Sequence, residues 1–105
     1  MTDKIIVYST CDSAEEGRKL ARHLVEKRLA ACVTIVPGAL SVYHWQGKLE
    51  ESSEWLLLIK SRRDLFEQLK TELQSIHTYQ TPEAVAVPIV AGLEAYLNWM
   101  DRELG

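Results

Sequence analysis

The feature that most restricts the fold is a pair of long extended runs joined by a two-residue turn. Ala31 to Val36 is strand-like, pauses at Pro37-Gly38, and resumes from Ser41 to Trp45. Gln46-Gly47 then reads as a hairpin turn, and Trp55 to Ile59 carries the return strand. Pro cannot donate to a ladder and Gly accepts unusual dihedrals, so Pro37-Gly38 predicts a bulge or bend rather than a strand end. Each arm can extend over ~14 residues, roughly 45 Å, at the usual rise of a strand. The first strand, Ile5-Ile6-Val7-Tyr8, is about half as long by the same measure. The surplus hairpin would expose unpaired backbone and apolar side chains, which native proteins normally cover. Pairing with a neighbouring copy would cover them, so oligomerisation is expected.

The remaining elements follow from periodicity. Ser13-Ala14-Glu15-Glu16 fits a capping box, and Leu20, Ala21, Leu24 and Val25 repeat at helical spacing, which predicts a helix from Ser13 to about Arg28. The run Trp55-Leu56-Leu57-Leu58-Ile59 lacks alternation and implies cover on both faces. Ser61 is expected to cap a second helix with Leu65, Phe66, Leu69, Leu73 and Ile76 on one face. Thr78 to Pro82 reads as a loop and Glu83 to Val90 as a fourth strand, placed at an edge by Pro88. Leu93, Tyr96, Leu97 and Met100 mark a C-terminal helix. The order β-α-β-β-α-β, then α, with right-handed crossovers, predicts an α/β (α+β) ferredoxin-like βαββαβ sandwich. Its one antiparallel sheet has the order 4-1-3-2, with both intervening helices on one face.

Length and composition narrow the class. A chain of 105 residues is expected to form one domain, residues 1–105, and its charged fraction of 26% is too small and too mixed for disorder. The net charge of −3, with basic residues scattered, argues against nucleic acid as a partner. No apolar run approaches the ~20 residues of a membrane helix. Met1 to Thr10 shows no secretory pattern, so the cytoplasm is the expected compartment, with no membrane partner. Cys11 and Cys32 fall at opposite ends of the sheet, roughly 15 Å apart by strand rise, too far for a disulfide. Three Trp and four Tyr in so short a chain point to aromatic surface buried between subunits.

Two blocks of sequence carry a resemblance. The first runs Leu29-Ala30-Ala31-Cys32-Val33, Ile35-Val36-Pro37-Gly38, then Ser41-Val42-Tyr43-His44-Trp45-Gln46-Gly47-Lys48-Leu49-Glu50. The second is Tyr79-Gln80-Thr81-Pro82-Glu83, Val87-Pro88-Ile89 and Tyr96-Leu97-Trp99. Together they resemble the signature of the CutA divalent-cation tolerance family over nearly the whole chain. The resemblance implies a homotrimer whose long hairpins pair across subunits, and a link to tolerance of divalent cations, copper above all.

The topology gathers Cys11-Asp12, Trp45 and the loop from His77 to Glu83 at one edge of the domain. Copper(II) favours imidazole and thiolate, so His77 with Cys11 or Asp12 is the candidate metal set, for copper(II) or another divalent cation. The alternative reading of His77 is an exposed loop histidine. Tyr43, Trp45, Glu54, Lys60, Tyr79 and Glu83 resemble family positions lining a cleft between subunits. There a lysine with carboxylates and aromatics can hold a small anionic or polar metabolite, or else form an intersubunit ion pair with aromatic packing. Glu50, Glu51 and Glu54 otherwise read as a solvated face, and His23 and His44 as surface or packing residues. No Gly-x-Ser-x-Gly elbow, no completed Cys–His arrangement and no phosphate-cradling glycine loop is present, so catalysis is not expected. Three readings result: a trimeric metal-tolerance protein, a trimeric sensor of a small metabolite, and an assembly or anchoring module without a ligand.

Overall fold

A computed structural model describes residues 2–105. The elements are β1 (Lys4–Cys11), α1 (Ala14–Glu26), β2 (Cys32–Trp45), β3 (Lys48–Arg62), a 3-10 turn (Arg63–Leu65), α2 (Phe66–Ile76), β4 (Val85–Pro88) and α3 (Glu94–Glu103). The four strands form one sheet in the order β2-β3-β1-β4, every neighbouring pair antiparallel, which is the order expected from the sequence.

The hairpin forms as its local chemistry dictates. Trp45 pairs with Lys48 across the turn. Gln46 and Gly47 both take positive φ, 52° and 81°, the left-handed pair that matches strand twist in a two-residue hairpin. The β2–β3 ladder slips between Val36 and Ala39, with Gly38 at φ 79°, so Pro37-Gly38 makes a bulge within one continuous strand. Beyond it the hairpin outruns the sheet, because β1 ends where Cys11 pairs with Trp55. Residues 39–45 and 48–54 are therefore a two-stranded ribbon paired only with itself in this chain.

Alternation places the core on one face. Ile5 and Val7 of β1 and Leu57 and Ile59 of β3 are buried against Leu20 and Leu24 of α1 and Leu69 and Leu73 of α2. The other face carries Leu56 and Leu58, half-buried, with Val85 and Val87 exposed on β4. Cover on both faces is thus met on one face only within the chain. The capping box is half formed: the Ser13 hydroxyl accepts from the Glu16 N–H at 3.1 Å, while one Glu16 carboxylate oxygen is buried without a hydrogen bond. The last helix packs Met100 and Leu104 on Ala31, with Leu65, Leu97 and Trp99 around them. Lys4 and Arg62 both reach Asp101, at 3.2 Å each, and dock that helix onto the ends of β1 and β3.

Three expectations need correction. Ser61 does not cap α2; it lies inside β3, fully buried, and its hydroxyl donates to the Leu29 carbonyl at 2.6 Å. Pairing with Ile5 continues the strand through that position, and α2 begins only at Phe66, with no side-chain cap. The fourth strand spans Val85–Pro88, shorter than expected, and pairs with Ile5 to Tyr8 of β1. Helix α1 stops at Glu26, and Arg28 takes a left-handed φ of 58° to turn the chain into β2.

Ser61→Ala should strand the buried Leu29 carbonyl and lower unfolding free energy by about 1–3 kcal/mol. Denaturant unfolding checks this, with Ser53→Ala on the exposed ribbon as a control expected to change stability by about 0.5 kcal/mol or less.

Candidate functional site

The end of β1, the ribbon and the loop after α2 meet around one carboxylate. Glu54 pairs with Ala39 just past the bulge, on the sheet face turned away from α1 and α2. It is 7% exposed, so the solvated-face reading fails for Glu54, while Glu50 and Glu51 are exposed as expected. The Tyr79 hydroxyl donates to Glu54 Oε2 at 2.7 Å. Burial pushes the Glu54 carboxyl upward, but the polar side chains of Ser41, Tyr79 and Thr10 around it, of which Tyr79 donates a hydrogen bond, outweigh it with His77 nearby and leave its pKa below the ordinary value. The Tyr79 hydroxyl moves the other way, pushed up by burial and by Glu54 beside it. Glu54 is thus the anion and Tyr79 a neutral donor.

His77 holds the loop in place. Its side chain is buried, not exposed, at 8%. The Tyr79 N–H donates to Nδ1 at 3.0 Å, which leaves Nε2 protonated and donating to the Thr10 carbonyl at 2.8 Å. Its ring lies 4.7 Å from that of Tyr79. Both ring nitrogens are therefore engaged with backbone. Cys11 follows Thr10 and, by alternation, points to the helix face; it is fully buried beside Gly17, and its thiol donates to the Ser13 carbonyl at 3.4 Å. Burial is the main influence holding that thiol protonated above its usual pKa. Asp12 is exposed. Among the described residues, no three His, Cys, Asp or Glu side chains converge as a metal centre requires.

The cleft set divides. Tyr43, Trp45, Glu54, Tyr79 and Glu83 line one open cavity of about 480 Å³. Lys60 is absent from it. It pairs with Cys32 at the far end of β3, and its ammonium reaches Thr34 Oγ1 at 3.1 Å and Cys32 Sγ at 3.9 Å. Six residues of extended chain, roughly 20 Å, separate it from Glu54. Thr10, Ser52, Gln80 and Thr81 complete the walls, and Ser52 meets the Tyr43 hydroxyl at 2.6 Å. Neither Thr10 nor Ser52 stands out in the sequence, and Gln80 and Thr81 enter only within the resembling block and its loop. Thr10 and Ser52 follow from strand alternation once the register is known, whereas Gln80 and Thr81 sit in a loop with no periodic signal.

Fold and site together define a small α/β protein with an overlong hairpin and a cleft of carboxylates and aromatics. The profile of the CutA1 divalent ion tolerance protein family matches residues 5–103, and the chain belongs to that family. The divalent-cation tolerance protein CutA of Thermus thermophilus is 46% identical over 100 residues, covering 95% of this chain and 97% of that protein. The chloroplastic CutA of Arabidopsis thaliana is 48% identical over 96 residues, 91% of this chain, and this chain spans only 53% of its length. The crystal structure of CutA from Xylella fastidiosa superposes with a TM-score of 0.96 at 42% identity, covering 99% of this chain and 100% of the other.

Glu54 ties this site to acid stability. A carboxylate whose folded pKa is depressed contributes stability that is present above its unfolded pKa and lost as pH falls through the folded value. Tyr79→Phe removes one donor, so the folded pKa should rise toward ordinary carboxylate values and acid unfolding should begin at higher pH. Carboxyl carbon NMR titration of Glu54 in both proteins checks the direction; an unmoved titration would show that Tyr79 does not hold the charge.

Proposed function

We propose that this chain acts as a divalent-cation tolerance protein whose working unit is a cytoplasmic homotrimer of the 1–105 domain, without catalysis. The observation that carries assembly is the ribbon. Leu40, Val42 and Leu49 are exposed on one of its faces, and Tyr43 and Trp45 on the other. A two-stranded ribbon apolar on both faces is marginal alone and needs cover on each side. The half-buried Leu56 and Leu58 beside exposed Val85 and Val87 extend the same demand across the sheet. The number three rests on the family resemblance. Free Cys11 and Cys32 suit a reducing compartment. The absence of catalysis rests on a buried, protonated Cys11 and a His77 engaged at both nitrogens.

The donor set does not fit a preformed divalent ion. Coordination by Cys11, Asp12 and His77 would require Nε2 to leave the Thr10 carbonyl and a buried thiol to lose its proton. The link to copper in this reading therefore runs without a ready-made centre at that edge. The cleft around Glu54 supports a second reading, a trimeric sensor of a small molecule, because it is the place where a cavity, aromatic walls and a buried charge coincide.

Native mass spectrometry should show a trimer, and Leu40→Asp with Val42→Asp should shift it to smaller species. A wild-type monomer at micromolar concentration would overturn the assembly. In the same instrument, His77→Ala should leave copper(II) uptake unchanged while lowering thermal stability. Uptake in multiples of three per trimer that His77→Ala abolishes would instead assign coordination to that edge.

A further inference from the structure

We draw no further inference here: the strongest candidate, the side-chain cluster of Cys32, Thr34 and Lys60 on the sheet face turned away from α1 and α2, lies on a surface that needs cover in the assembly, and nothing in the structure shows what covers it.

Discussion

The pairing of β1 with the second half of β3 is the constraint on which the rest depends. It runs from Lys4 opposite Arg62 to Cys11 opposite Trp55. That register turns Leu57 and Ile59 toward the helices and Leu56 and Leu58 away from them. A slip of one residue would exchange those faces, expose the core and drive the Glu54 carboxylate under α1. The same pairing carries the strand through Ser61, which delays α2, and it stops at Cys11, which releases the ribbon. Core, helix start and overhang are consequences of one ladder.

The cleft arises where that ladder ends. Past Trp55 the sheet loses its β1 neighbour, and the bulge at Pro37-Gly38 re-aims the ribbon at the same level. A carboxylate at this junction is shielded from water on one side and close to polar groups on the other. Tyr79 donates a hydrogen bond to Glu54, and the polar side chains of Ser41 and Thr10 beside it help to keep Glu54 charged. His77 fixes the loop that delivers Tyr79, by joining the Thr10 carbonyl to the Tyr79 N–H through one ring. Histidine serves as a brace here, and its chemistry is consumed by that role.

Features governed by neighbours in the chain were legible in the sequence. The Gln46-Gly47 turn, the bulge, the Ser13 cap and the alternation of β1 each follow from steric or hydrogen-bonding preferences of a few consecutive residues. The order of elements then leaves few topologies, and the observed sheet order is the expected one. The misreadings share a cause. Ser61 has a good local cap pattern, but a ladder partner on β1 outcompetes it. Glu54 sits among other glutamates and looks solvated until Tyr79 is brought to it from 25 residues away along the chain. Lys60 is a different case: strand rise sets it roughly 20 Å from Glu54 within one chain, so only a cleft between subunits can unite the two.

By itself the sequence determined which segments are extended, where they bend and turn, and that the hairpin is too long for the rest of the chain, because these depend on backbone sterics and periodicity within short windows. Only the tertiary structure decided that His77 is braced rather than free, that Glu54 is a buried anion, and that Lys60 stands apart from it. Those states depend on which distant groups arrive within hydrogen-bonding distance and how much water they exclude, and neither quantity is written in local spacing.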